Sequence, residues 1–429
     1  MLKFPIIFLY FLTSADAIGT IDEEKTVSYK GHQVYGIIPR TTAHLQYLMA
    51  LENDNENFKF WSEPHEISKT VVMQVSPEKL MSFRTQLTEK QIPFGVKIND
   101  LQKKIDIERN ENYPQMLFRV MGSEAFDLGQ YHTLDEIYTY LALLNEQYPS
   151  ISNLSTIGTS NDGREIKLLR ISNNTQKENK PSIVIDAGIH AREWISPATA
   201  IYIIKELLTS NDSSTVQLRN TFDWYVIPVL NPDGYAYTWT MDRLWRKNRR
   251  KDKSTICVGV DLNRNFDIGF STGPQRNPCS DTFAGPTAFS EPETSTLQTL
   301  VKTLSNLKMA FSLHSYSQTW VTSYVYKFGY PANYEDLALI LEKALDKAKL
   351  VNQTTYEFGP GALLMYPATG TSVDWYTDTV GVKYAFIVEL RDNGDHGFLL
   401  PKSQILPTGE ETWTAINEIA MHVGSLKPH

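Results

Sequence analysis

His190 and Glu193 stand three residues apart in the stretch Pro181–Pro197, PSIVIDAGIHAREWISP. An imidazole and a carboxylate at i and i+3 share a face of a helical turn and can converge on one point. Imidazole nitrogen and carboxylate oxygen both suit Zn²⁺, and a catalytic zinc site takes three protein ligands and leaves one position open. Alone the pair is weak, because a chain with nine histidines shows such a spacing by accident. A working site also requires a third ligand, a base and something to hold a substrate.

The elements that would position these groups are buried strands. Short apolar runs rich in Ile and Val read as strands covered on both faces, as parallel strands are. In open α/β sheets, ligands bind outside the carboxyl ends of such strands. The run Ser182–Ala187 is followed by His190 and Glu193, Met309–Leu313 by His314, and Tyr384–Val388 by Glu389. Three strands therefore deliver metal-competent or basic groups to one edge. A carboxylate at the end of a buried strand is desolvated, so the Glu389 carboxyl is expected to titrate high, as a general base beside an activated water requires. Arg246, Asn263 and Arg264 add cationic and amide donors, and arginine presents a planar fork that matches a carboxylate. Asp261 is placed to accept the free N–H of a ligating histidine. Asn231-Pro-Asp-Gly234 reads as a turn. Gly269-Phe-Ser-Thr-Gly273 matches the G-x-S-x-G pattern of hydrolase nucleophiles, but Gly- and Pro-rich sequence follows where that motif demands a helix.

Length and composition fit this picture. The 429 residues exceed one typical domain, with 41% hydrophobic and 21% charged residues, ordinary for a globular protein. A formal charge of −8 argues against nucleic-acid binding, and the basic cluster Arg246–Lys253 reads as a solvated loop. Residues 1–17 read as a secretory signal: Lys3, an apolar core Phe4–Leu12, and the small-residue site Ala15-Asp16-Ala17. That core is shorter than the roughly 20 residues a bilayer needs, so no membrane span is expected. Cys257 and Cys279 are the only cysteines. In an exported protein they are most simply one disulfide; a role in a zinc site is the alternative, but no C-x-x-C spacing is present.

Residues from about 30 to 100 read as β-α-β-β-α-β, a small antiparallel α+β unit. A charged stretch, Asn99–Asn112, reads as a solvated connecting helix, and Arg119 beyond it offers a cut to a trypsin-like protease. From Thr133-Leu-Asp-Glu136, a capping box, strands alternate with helices, and a second capping box is expected at Ser290-Glu-Pro-Glu293. The expected architecture is α/β: a mixed, mostly parallel twisted sheet with helices on both faces, preceded by the small α+β unit.

HAREW, DLNRNF, LHSYS, YPATGTSVDW and ELRDNGDHGFLLP, in this order and spacing, resemble the secreted zinc metallocarboxypeptidases of the carboxypeptidase A/B type. The resemblance covers nearly the whole chain after the signal. It implies a signal at 1–17, an inhibitory activation domain with its connecting segment at 18–119, and a catalytic domain at 120–429, with activation by cleavage after Arg119. It implies one zinc ion held by His190, Glu193 and His314, with a bound water activated by Glu389. Arg246 would polarise the scissile carbonyl. Asn263 and Arg264 would grip the substrate's terminal carboxylate, Tyr366 would close over it, and Arg192 and Tyr316 would line outer subsites. Val373, at the position that is aspartate where Lys or Arg is preferred, implies release of large hydrophobic C-terminal residues. Gly361, glycine as in B-type relatives, keeps open the alternative of Lys/Arg preference; a C-terminal peptide binder that does not hydrolyse is the other alternative. The implied protein is a secreted monomer that acts on peptide or protein C-termini.

Overall fold

The structure, a computed structural model, describes residues 26–120, 126–173, 179–270 and 276–426, the side chains of 113–120 excepted. The expected signal at 1–17 and the side chain of Arg119 lie outside the described residues.

The N-terminal unit runs β1 (Gln33–Ile37), α1 (Thr42–Ala50), β2 (Phe58–Phe60), β3 (Val71–Val75), α2 (Leu80–Glu89) and β4 (Phe94–Ile98). Its strands form an antiparallel sheet in the order β2-β3-β1-β4. Tyr35, Ile37, Met73 and Val75 alternate onto the face that packs against Leu48 of α1 and Phe83 and Leu87 of α2. The connecting segment is helix α3 (Leu101–Val120). It is not simply solvated: Leu101, Ile105, Glu108 and Asn112, a stripe at helical spacing, are buried.

Beyond it follow α4 (Leu134–Gln147), β5 (Ser152–Thr159), β6 (Glu165–Ile171), β7 (Ser182–Ala187), α5 (Ile195–Thr209), α6 (Ser213–Thr221), β8 (Asp223–Ile227) and α7 (Pro232–Thr240). Then come α8 (Pro292–Thr303), β9 (Leu307–Ser315), β10 (Thr319–Thr322), α9 (Tyr334–Asn352), β11 (Glu357–Pro360), β12 (Tyr384–Leu390) and α10 (Ile405–Ser425). The strands form one eight-stranded sheet, β11-β10-β12-β9-β7-β8-β6-β5. Its centre, β12-β9-β7-β8, is parallel, and antiparallel pairs lie toward both edges. Ile183, Ile185 and Ala187 of β7 face the core made with α4, α5, α9 and α10, while Val184 faces the other core with Leu297 and Val301 of α8. The expected mixed α/β sheet with helices on both faces is what forms.

The capping box at Thr133 and Glu136 opens α4, with both reciprocal bonds present. Two local expectations change. Asn231-Pro-Asp-Gly234 starts a helix rather than a turn: the Asn231 side chain accepts from Gly234 N at 2.9 Å and Pro232 takes the first position, where its missing N–H is harmless. No capping box forms at Ser290, because its hydroxyl donates to Glu291 Oε1 at 2.7 Å and Glu291 becomes the cap position. Cys257 and Cys279 are disulfide-bonded. Much of the basic cluster is buried, not solvated: Arg249 stacks over Tyr237 and Trp245, and only Lys251–Lys253 are fully exposed.

Candidate metal centre and substrate cleft

The turn after β7 places His190 and Glu193. Gly188 there has φ +62°, and a Cβ on it would lie 3.1 Å from Pro197 Cγ and 3.3 Å from Val229 Cα, so glycine lets the chain leave the strand end in a tight bend. His314 and Glu389 lie inside the last residues of β9 and β12 rather than beyond them, and the parallel register sets them side by side.

His190 Nδ1 is 2.8 Å from Glu193 Oε1 and 3.1 Å from His314 Nδ1, and His314 Nδ1 is 3.2 Å from Glu193 Oε2. The three donor atoms all fall within 4.8 Å of one another and are buried. Two imidazole nitrogens and a carboxylate so close, aimed at a common point, fit a zinc ion. Burial alone would raise the Glu193 carboxyl, but His190 and His314 outweigh it and hold it well below the usual carboxylate range. Asp261 accepts from His190 Nε2 at 3.0 Å through Oδ1, and from Arg246 Nη2 at 2.8 Å through Oδ2. Burial would likewise raise Asp261; Arg246, His190 and Arg264 hold it far down, so it stays an anion.

Around this centre opens a cleft of about 510 Å³. Burial pushes the Glu389 carboxyl, which faces it, up to about 7, and neighbouring Glu193 adds to the rise while His314 opposes it. Arg246 lies 3.8 Å from Glu193 as well as on Asp261. Arg264 reaches the Tyr366 hydroxyl at 3.0 Å, and Asn263 is fixed by its Oδ1 accepting from Ser372 N at 2.9 Å. Arg192 stacks 4.1 Å over the Phe398 ring, and Tyr316 meets the same ring edge-on. Glu389, Arg246, Asn263, Arg264, Tyr366, Arg192, Tyr316 and Phe398 line the cleft, together with His190 and Glu193.

Val373 does not. It is buried, 1% exposed, in the same apolar cluster as the wall residues Val321, Val325, Ala368 and Ile387, with Leu262 and Tyr366 packed among them. Gly361 stands behind two of these: a Cβ there would lie 2.6 Å from Val325 Cγ2 and 2.9 Å from Val321 Cγ1. The glycine therefore makes room for two valines of the segment after Ser317. Lys327, the cation of that segment, points away to Asp378 and the Tyr324 ring.

Sequence reasoning missed what covers the cleft. The loop between β2 and β3 brings Trp61, Ser62, Glu63 and His65 onto its rim. Trp61 packs on Phe398 and over Gly397. Asn55 donates to Cys279 O at 2.8 Å, and Lys59 pairs with Asp281 at 3.6 Å. Glu108 of α3 meets Arg243, whose other N–H groups donate to Arg192 O and Phe398 O, with the guanidinium stacked 3.7 Å over Trp194. A tryptophan in the polar sequence FKFWSEPHE was the available signal.

Two family models match the chain: "Zinc carboxypeptidase" over residues 137–415 and "Carboxypeptidase activation peptide" over residues 35–108. Carboxypeptidase A2 of Mus musculus is 38% identical over 402 residues, covering 92% of this chain and 94% of the relative. Carboxypeptidase B of Rattus norvegicus is 36% identical over 404 residues, with the same coverage. Among solved structures, thrombin activatable fibrinolysis inhibitor superposes with a TM-score of 0.84 at 32% identity, covering 93% of this chain and 100% of that one. Carboxypeptidase A of Helicoverpa armigera gives 0.83 at 28% identity, covering 92% and 98%.

Proposed function

The chain belongs to the zinc carboxypeptidase family, and from that membership and the geometry of its cleft we propose how it binds and cuts. It is a zinc metallocarboxypeptidase with an activation peptide ahead of the catalytic part, the zymogen of an exopeptidase. His190, Glu193 and His314 hold the metal, which supplies a Lewis acid and lowers the pKa of water. The Glu389 carboxylate takes the proton of the attacking water and returns it to the leaving amine. Its raised pKa suits both halves of that transfer near neutral pH. Arg246, held in place by Asp261, steadies the negative charge that develops on the scissile carbonyl oxygen. Arg264 and Asn263 receive the free carboxylate of the substrate's last residue, and Tyr366, already on Arg264, closes over it. A charge-assisted hydrogen bond contributes about 1.5–3 kcal/mol, so an internal peptide bond, which lacks the carboxylate, leaves the arginine unmatched. Arg192 and Tyr316 contact residues further from the chain end.

The observation that carries this reading is the meeting, in one cleft, of a His-Glu-His triad, a high-titrating carboxylate and two arginines. The apolar wall of Val321, Val325, Ala368 and Ile387 supports release of large hydrophobic C-terminal residues, with Val373 acting through its packing in the same cluster. Gly361 supports the B-type alternative less well, since the space it leaves is filled by valines rather than by an acid. Intact Glu389 and Arg246 speak against a binder that does not hydrolyse.

The reading further includes export directed by residues 1–17, an activation domain with connecting segment at 18–119, and a catalytic domain at 120–429. A trypsin-like protease cuts after Arg119, and the active protein is a monomer acting on peptide C-termini. Among the described residues no helix is long and apolar enough to cross a membrane. The test is a rate comparison, after trypsin treatment, on peptides ending in Phe, Leu, Arg and Glu. Phe and Leu should be released fastest, only after cleavage, and not once zinc is chelated. Preferred release of Arg would overturn the pocket assignment, and turnover without zinc would overturn the mechanism.

A further inference from the structure

We propose that Ser312 and Asp186 are positioning residues for the metal ligand His314, through a hydroxyl relay that parallels the direct Asp261 contact to His190. His314 turns Nδ1 toward His190 Nδ1 and Glu193 Oε2, so Nδ1 must keep its lone pair for the metal and the ring proton must sit on Nε2. That proton needs an acceptor in a site closed to solvent. Two groups lie near Nε2: Ser312 Oγ at 3.2 Å and Asn263 Nδ2 at 3.5 Å. The amide nitrogen is a donor, and its Oδ1 partner is occupied by Ser372 N. Ser312 Oγ is therefore the acceptor, and its own proton goes to Asp186 Oδ1 at 2.6 Å.

The backbone builds this chain. Ser312 and His314, two apart on β9, share one face of the sheet, and Asp186 of β7 is paired directly with Ser312 in the parallel register. Asp186 is fully buried between Ile185 and Ala187, and Tyr376 is 3.5 Å from its second oxygen. A carboxylate so placed is costly unless each oxygen has a partner. Its partners here lead to a metal ligand, so each histidine of the centre is backed by a carboxylate: one directly, one through a hydroxyl. Such backing fixes the tautomer and the ring orientation, and its loss typically weakens metal binding about 10–100-fold.

The test measures the zinc dissociation constant of the full chain by competition with a chelator. Ser312→Ala should bind zinc about 10–100-fold more weakly, whereas Ser312→Thr, which keeps the hydroxyl, should recover most of that loss. Asp186→Asn, of the same shape as the carboxylate, should also weaken binding. Cobalt-loaded Ser312→Ala should show an altered visible absorption envelope, which a purely structural role would leave unchanged. Zinc binding within twofold of the unaltered chain in Ser312→Ala or in Asp186→Asn would overturn the relay. Equal loss in the Ala and Thr variants, traced by the zinc-free melting temperature to general destabilisation, would overturn it too. Failure of the unaltered chain to bind zinc would instead overturn the assignment of the ligand triad.

Discussion

Glu108→Gln isolates one contact that holds the activation segment on the enzyme. Glu108 sits on α3, with its side chain 10% exposed, against Arg243 at 3%. Removing one partner of a buried ion pair typically costs about 3–5 kcal/mol, because the other charge is left uncompensated. The lower end applies here. Arg243 would keep its bonds to Arg192 O at 2.8 Å and Phe398 O at 2.7 Å and its stacking on Trp194. Burial, moreover, already outweighs the arginine and raises the Glu108 carboxyl. About 3 kcal/mol corresponds to roughly 150-fold in a dissociation constant. After the proposed cut at Arg119 the segment is held by non-covalent contacts alone, among them this pair, Trp61 on Phe398, Asn55 and Lys59 on the Cys279–Asp281 stretch, and the burial of Leu101 and Ile105. The assay cleaves both zymogens with trypsin, dilutes them in series and records activity against total concentration. The concentration at half-maximal activity should rise roughly 150-fold in Glu108→Gln, with the fully released enzymes equal in kcat. Midpoints within threefold of each other would refute the idea that this buried pair holds the segment down.

Three further outcomes are expected. Glu389→Gln should retain zinc and lose about 10²–10⁴-fold in kcat; near-normal turnover with zinc bound would reassign the base. Glu293, buried at the start of α8 with Oε1 lacking a partner among the described residues, is pushed by burial up to about 8. Its folded pKa is raised above the ordinary 4.5, so its contribution to stability is complete below that value and is lost as pH climbs through about 8. Melting temperature should therefore fall from about pH 5 to about pH 8, and Glu293→Gln should flatten that slope; an unchanged slope would disprove it. Replacing both cysteines by serine opens a loop closed across 22 residues and should lower stability by about 3 kcal/mol in chemical denaturation, whereas an unshifted midpoint would contradict it.

Much of this was legible in the chain because the decisive elements are buried on both sides. Ser182–Ala187 appears as written, since a continuous apolar run has few other homes, and the unit from Gln33 to Ile98 follows its expected order. The metal centre was legible because its members close or follow such strands. Three strands escaped notice for physical reasons: β5 is a polar edge strand, half exposed, and β10 and β11 are four residues each. The NPDG segment has turn residues, but Asn and Pro at these positions equally begin helices, and here the Asn231 cap opens one whose Tyr235 packs near Trp194. Position in a motif could not tell that Val321, Val325, Ala368 and Ile387 reach the cleft wall while Val373 packs with them in the same cluster. The seating of Trp61 and Glu108 left only faint traces, a tryptophan in FKFWSEPHE and the stripe Leu101, Ile105, Glu108 and Asn112, and neither says which surface it covers. Asp186 did leave one: a lone acid inside an unbroken apolar run.

Asp261 spends one oxygen on His190 and the other on Arg246. Grip on the ion and grip on the reacting carbonyl are thus fastened to a single carboxylate. A change at Asp261 therefore reaches both grips together.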